Sequence, residues 1–428
     1  MNLSSNEDSA FTTNWETPMP YDLLLKNATV IDPSQNINGV HDVAIQNGKI
    51  AAVQKSIIEP AKQTIDLPGK VLTPGWIDIH AHVFAGATTW GFHADALCLA
   101  TGVTTVVDAG SPGWANFVAF RDFIAAPART QILTFVHISG IGLTYGPIGE
   151  MLDINYADPE RTAYTIHTNP DICVGVKVRL SHNIVGTNDV KPLQLAVRAA
   201  QMVNTPVMVH MGAGVPVADT LNELRSGDIV THCYRGDGDA TLGDTILDAE
   251  GNLRPEVLKA RQQGILFDVG HGGGSFLFET AKKALSQNFL PDIISTDLHT
   301  GSISDPVYSL PETASKLLNL GIELPDIVRQ TTTAAASSIG RANELGTLKT
   351  GTVADLSVFE ISEGEFHFHD VRNNLQIGRK NIQPILTVRA GKMYHPADLK
   401  AECDENLQKA RTMRALVSRQ FGKLGWSP

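Results

Sequence analysis

Alternating apolar and polar positions begin at Tyr21, in YDLLLKNATVID, and continue in VHDVAIQNGKIAAV. Asn47-Gly48 falls between alternating apolar positions of the second stretch and predicts a tight hairpin turn. KVLTPG adds a short extended piece, and strand-like patterning returns late, in GTVADLSVFEI, EFHFHD and PILTVRAGKMYH. The middle of the chain differs. It holds eight short runs rich in Val and Ile: WIDIHAHV, TTVVDAG, TQILTFVHI, CVGVKVRL, PVMVHMG, DIVTHCY, GILFDVGH and DIISTDLH. Gly, Pro, Asp or Asn bounds them, and mostly amphipathic stretches separate them. Near-continuous apolar runs of this length read as buried parallel strands. Eight of them alternating with helices predict the α/β class and a (β/α)8 TIM barrel. A small β-sandwich domain built from both termini, with the barrel inserted, accounts for the β-rich ends.

The expected boundaries are a flexible N-terminus (1–20), the first part of the sandwich (21–72), the barrel (73–343), the second part of the sandwich (344–396) and a C-terminal helix (397–428). That helix is charged on one face and would pack against the body or a second subunit, so a homo-oligomer is compatible with the pattern.

Composition narrows the class. The 428 residues are 43% hydrophobic and 18% charged, a globular balance that excludes collagen, coiled coil and global disorder. A net charge of −11 argues against nucleic-acid binding and against attachment to an anionic membrane. No apolar run approaches the ~20 residues of a membrane helix. The start of the chain has neither the basic segment nor the apolar core of a secretory signal. Cys98, Cys173, Cys233 and Cys403 are scattered without a CxxC pair, as in a reducing compartment. The expectation is a cytoplasmic protein acting on a small molecule.

The residues that carry chemistry fall at the carboxyl ends of the runs, where such barrels keep their sites. His80-Ala81-His82 closes the first run, and on a strand residues i and i+2 share a side. His210 and His232 close the fifth and sixth runs, and Asp297 closes the eighth. Singly, each is as well explained by a capped or hydrogen-bonded residue. Together, the fold brings all five to one end of one barrel, and imidazole with carboxylate is a donor set for Zn²⁺, Mn²⁺ or Fe²⁺. Lys177 lies in the fourth run between Val176 and Val178, where an ammonium is desolvated and readily loses its proton. A neutral amine can add CO2 to form a carbamate, whose two oxygens can bridge two cations. A lysine paired to a nearby acid is the structural alternative.

HAH after PGWID, a lone lysine on the fourth strand, histidines on the fifth and sixth, and an aspartate on the eighth resemble the amidohydrolase superfamily. More narrowly they resemble its binuclear branch with a carboxylated lysine, as in dihydroorotase, hydantoinase and related deacetylases. The resemblance covers almost the whole chain. GIGLTYG, GVKVRLS, THCYRG, GHGGGSF and STDLHTGS are most similar to a dihydroorotase-like group whose members act on acylated small acids. The resemblance implies two divalent ions, with zinc expected. His80, His82 and Asp297 would hold one, His210 and His232 the other, and carboxylated Lys177 would bridge them. It also implies a metal-bridging hydroxide as nucleophile and Asp297 as proton shuttle. The implied activity is hydrolysis of an amide or ester bond, deacylating a small N-acyl amino acid or O-acyl hydroxy acid. The alternatives are a cyclic amidohydrolase of the dihydroorotase or hydantoinase type and a metal-free scaffold protein of the same fold.

Dihydroorotases usually carry an arginine two residues beyond the second histidine of HxH. Phe84 stands there in this chain, which counts against dihydroorotate as substrate. Adenosine-deaminase-like relatives use one metal and no lysine bridge, and Lys177 counts against them. Arg179 shares the face of Lys177 and is a candidate grip for a substrate carboxylate, with a structural ion pair as the other reading. Tyr145, in the Gly-rich loop after the third run, is a candidate oxyanion donor, as a tyrosine is in hydantoinases. Gly273, within Gly272-Gly273-Gly274-Ser275, allows close backbone approach to a ligand or simply a tight turn, and no Walker lysine follows. His299 and Arg235 stand in loops at the same end without an assigned role. Cys233 is read as packing, and His367 with His369 as structural.

Overall fold

The structure is a computed structural model that describes residues 20–144, 149–236 and 243–421. The expected flexible N-terminus, up to residue 19, and Tyr145 lie outside these residues. Strand β1 (Tyr21–Asp32) pairs antiparallel with β2 (Ile37–Gln46), which pairs antiparallel with β3 (Lys49–Gln54). Asn47 (φ 52°) and Gly48 (φ 70°) both hold positive φ, as the two-residue turn between β2 and β3 requires. β4 (Ala61–Asp66) and β5 (Val71–Pro74) lie parallel to β1.

Seven parallel strands follow: β6 (Trp76–Ala81), β7 (Val103–Gly113), β8 (Gln131–His137), β9 (Cys173–Leu180), β10 (Val207–Met211), β11 (Ile229–Thr231) and β12 (Leu266–Asp268). Each pairs with the next in one curled sheet. Helices alternate with them. Lys191–Val203, between β9 and β10, buries Leu193, Ala196, Val197 and Ala200, the spacing of one helical face, and ends on Asn204 in the left-handed conformation.

The eighth apolar run forms no ladder. Single parallel bridges join Ile293 to Asp268 on one side and Leu298 to Ala81 on the other, so the segment touches both edges of the sheet. Asp297 N donates to His80 O at 2.6 Å, and His82 N donates to Leu298 O at 2.9 Å. Thr296 donates to the Asp78 carboxylate from its amide (3.0 Å) and its hydroxyl (2.5 Å), and burial pushes that carboxyl up to about 7. Asp297 has φ 48°, which a strand cannot accommodate. That residue explains why seven regular strands and one irregular segment stand where eight strands were expected.

At the other end, β13 (Leu356–His369), β14 (Leu375–Arg389) and β15 (Lys392–Tyr394) pair antiparallel, and β13 also pairs with β5. Strands from both ends of the chain therefore share one connected eight-stranded sheet, where a two-layered sandwich was expected. Leu25, Val30, Val43, Leu72, Leu356 and Val388 form its core. The last helix, Pro396–Phe421, packs through Leu399 against Ala96 and Leu99. No helix among the described residues is long and apolar enough to cross a membrane.

The parallel strands divide their side chains between two cores. Val106, Val136, Val176, Val178 and Val209 join the helices, whereas Val107, Leu133, Phe135, Val174 and Met208 form a separate inner cluster. This alternation of period two, interrupted on β9 between Val174 and Val176 where the register with β8 shifts, sets which side chains face the inside of the curl.

Candidate functional site

Val176 and Val178 belong to the outer core, so Lys177 between them turns inward, and Arg179 follows on the same face. By the same alternation His137 on β8 and His210 on β10 turn inward. β6 needs an extra device, because Ile77 and Ile79 face the inner cluster and so do the next even-numbered positions, His80 and His82. The parity switches where the β6–β7 register shifts, three steps from Asp78 to Ala81 against two from Val106 to Asp108. This β-bulge re-aims the HxH pair.

The six predicted metal ligands come together. Asp297 Oδ1 lies 3.3 Å from His80 Nε2 and 3.1 Å from His82 Nε2. The ligand atoms of these three residues all lie within 4.8 Å of one another. Lys177 Nζ is 3.3 Å from His80 Nε2. The ring of His232 is centred 4.4 Å from that of His210 and 5.2 Å from that of His80. His80, His82, His232 and Lys177 are buried, while the Asp297 side chain keeps 14% exposure. The group opens on a cavity of about 160 Å³, with Trp90, Arg179, Gly273 and His299 in its wall. Asp297 and His232 (φ 75°) both hold a left-handed backbone, a strain of the kind concentrated at functional sites.

The other nitrogen of three rings is already engaged. His232 Nδ1 lies 2.6 Å from the Gly270 carbonyl, which can only accept, so Nδ1 carries the proton. Thr231 donates its hydroxyl to Asp268 at 2.7 Å, leaving its oxygen to accept from His80 Nδ1 at 2.9 Å. Ser111 Oγ gives its proton to Asp108 and lies 3.0 Å from His82 Nδ1. The network therefore assigns a bare lone pair to each Nε2. Two of these face a carboxylate oxygen, and His232 Nε2 is buried with no hydrogen-bond partner among the described residues. Acceptors facing acceptors repel, and a divalent cation between them reverses the sign.

The electrostatics agree. Burial holds His80, His82 and His210 well below the usual imidazole range and brings His232 to about 3, so all four rings are neutral at pH 7. Burial also brings the Lys177 amine down to about 7, against the pull of Asp297, so a large fraction is neutral and nucleophilic. The residues present fit divalent ions.

The remaining candidates are placed as follows. Arg179 stands in the cavity wall and also pairs with the buried Glu150 at 3.2 Å, so both readings of it meet in one residue. Gly273 lines the cavity, but a Cβ there would meet nothing nearer than 3.8 Å. Phe84 packs edge-on against Phe120, 5.2 Å between ring centres, within the outer core. Cys233 is buried in that same core. His299 is buried in the wall beside Trp90, ring centres 4.8 Å apart, and burial lowers its imidazole to about 4. Arg235 is buried and donates to Asp244 O at 3.2 Å. His367 lies on β13 against Glu365. Sequence reasoning missed Thr231, Asp268, Ser111, Asp108 and Glu150. For the first four the available signal was a polar residue inside or beside an apolar run, and for Glu150 there was none.

No protein-family profile matches the chain. It is 35% identical over 381 residues to a deacetylase of Enterococcus faecalis, spanning 88% of this chain and 100% of that protein. A solved structure of an adenine deaminase is 34% identical with TM-score 0.81, covering 88% of this chain and 100% of its own. A dihydroorotase structure is 32% identical with TM-score 0.79, covering 87% and 97%. These relatives carry different reaction names, so what the likeness establishes is common descent and a common frame. On that likeness, the chain belongs to the amidohydrolase superfamily, within its dihydroorotase-like deacetylase group.

Proposed function

We propose that this amidohydrolase is a binuclear deacylase of small acylated acids, either N-acyl amino acids or O-acyl hydroxy acids. The observation that carries this reading is the convergence of the His80 and His82 lone pairs on Asp297, beside a buried lysine that gives up its proton readily. In this reading His80, His82 and Asp297 hold one divalent ion and His210 and His232 a second. Zinc is the expected metal, Lys177 as a carbamate would join the two sites, and the segment 293–298 completes a (β/α)8 barrel. Bound cations would acidify a water molecule and polarise the scissile carbonyl.

The chain's own side chains do the rest. Asp297 takes the proton of the attacking water and returns it to the departing amine or alkoxide. Arg179, tethered by Glu150 through one N–H, turns its remaining donors to the substrate carboxylate, which fixes the carbonyl that meets the water. Trp90 and His299 wall the cavity and limit access of bulk water.

The test joins metal analysis to a substrate panel of acetylated amino and hydroxy acids, dihydroorotate, a 5-substituted hydantoin and adenine. Two metals per chain and the highest kcat/KM on an acylated acid are expected. One metal with full activity, or preference for dihydroorotate or adenine, overturns the reading.

A further inference from the structure

His137 is a buried imidazole that the chemistry above leaves unused. It ends β8 and is fully buried. The Ser139 amide donates to His137 Nδ1 at 2.9 Å, so Nδ1 is the acceptor and the neutral ring carries its proton on Nε2. That Nε2–H has no acceptor among the described residues. A buried donor left without a partner is costly, and each such group in a folded protein calls for a reason.

Its neighbour is Lys177. The two are register partners on β8 and β9, the alternation turns both inward, and Ile138 N donates to Lys177 O at 2.9 Å to hold the register. Gly110 on β7 stands beside both. A Cβ there would fall 2.5 Å from Lys177 Cβ and 3.3 Å from His137 Cδ2, and its φ of 83° suits only glycine. The other groups acting electrostatically on His137 are Arg179 and His82. A guanidinium accepts nothing, and His82 turns its Nδ1 to Ser111 and the lone pair of its Nε2 toward Asp297.

We propose that His137 is a positioning residue for Lys177, its Nε2–H donating to one oxygen of the carbamate formed when the Lys177 amine adds CO2. In that step the Nζ lone pair bonds to the carbon of CO2, a C–O π pair moves onto oxygen, and Nζ releases one proton to solvent base. No oxidant or reductant takes part. The hydrogen bond holds the carbamate plane and leaves its other lone pairs toward the cations. This inference rests on the proposed carboxylation and assigns what stabilises it.

The experiment takes metal-stripped full-length protein and adds zinc with ¹³C-bicarbonate. The carbamate is read by its ¹³C resonance and the metal by elemental analysis, in wild type, His137→Phe and His137→Gln. His137→Phe should need roughly ten- to a hundredfold more bicarbonate for half-maximal labelling and for full metal loading, as loss of a hydrogen bond to a charged group implies. His137→Gln, which keeps an N–H donor, should recover part of the loss, and KM should stay near the wild-type value at saturating bicarbonate. His137→Asn, with a shorter reach, serves as the comparison for His137→Gln if the phenylalanine variant does not fold. Wild type without a carbamate signal overturns the carboxylation reading and this inference together. A labelled wild type with an unchanged bicarbonate requirement in His137→Phe overturns this inference alone. Unchanged labelling with a raised KM assigns the donor to substrate and also overturns it.

Discussion

A Cβ on Gly272 would lie 2.3 Å from Asp297 Oδ2. Gly272 also holds φ 55°, so the loop after β12 is shaped around the carboxylate twice, by size and by backbone. Gly272→Ala should displace Asp297 and lower kcat by about a hundredfold, the scale on which a 1 Å misplacement acts. The fold should survive, because the left-handed conformation costs about 1–2 kcal/mol for alanine. Steady-state kinetics with metal analysis check this, and a variant with unchanged kcat would show that the carboxylate has room to spare.

Thr231 is the second pressure point. Its hydroxyl links His80 Nδ1 to Asp268, so Thr231→Val keeps the shape and breaks the relay. Partners that orient metal ligands are typically worth 10–100-fold in metal affinity. A competition titration with a zinc chelator should show about that loss at one of two sites, with the other unchanged. Wild-type affinity at both sites in the variant would refute the orienting role.

Much of this site was legible in the chain itself. His80, His82, Lys177, His210, His232 and Asp297 each interrupt or close an apolar run, which is enough to gather them at one end of the parallel strands. The bulge that lets Ile79 and His80 both face inward was not legible, because it depends on the register with β7. Nor was the irregular course of segment 293–298, since DIISTDLH has the same apolar pattern as a regular strand. Its departure comes from the left-handed Asp297 and from Thr296 turning to Asp78. Glu150 could not be matched to Arg179, because their pairing spans 29 positions and a loop with no periodicity.

Lys177 and Asp297 should fail differently. Lys177→Ala removes the proposed bridge, so metal content should fall, and a short-chain carboxylic acid should restore part of it. Asp297→Asn keeps an oxygen ligand but cannot carry the proton, so most metal should remain while turnover drops by several orders of magnitude. Metal analysis and kcat on the same preparations separate the two. Full metal and full rate in Lys177→Ala would remove the carbamate from the mechanism.

A pH signature belongs to Lys316, which is fully buried and donates to His271 Nε2 (3.0 Å) and Pro306 O (2.6 Å). Burial lowers its amine from 10.5 to about 8. Below pH 8 both folded and unfolded chains hold the ammonium, and the burial penalty is complete. Between 8 and 10.5 the unfolded chain binds more protons, so this group makes stability rise with pH, and above 10.5 the penalty is gone. Lys316→Met lacks the effect. The difference in unfolding free energy, wild type minus variant, should therefore grow by up to about 3 kcal/mol from pH 7 to 10.5. Urea melts of both proteins at several pH values measure it, and a flat difference would place the titration elsewhere.

Substrate choice turns on Arg179 and its partner. Burial raises the Glu150 carboxyl while the Arg179 charge opposes that shift. When Arg179→Met removes the charge, Glu150 should take up a proton rather than remain a buried, unpaired anion, so the variant should fold. With the guanidinium gone, an acylated acid loses its charged hydrogen bonds, and KM should rise roughly 10–100-fold. The methyl ester of the same compound never made those bonds, and its KM should hardly move. Glu150→Gln keeps the guanidinium and loosens its tether, so its effect on acids should be smaller and still absent for the ester. Measured across acid and ester pairs, that order separates a carboxylate grip from a purely structural ion pair, for which both substrates would suffer equally.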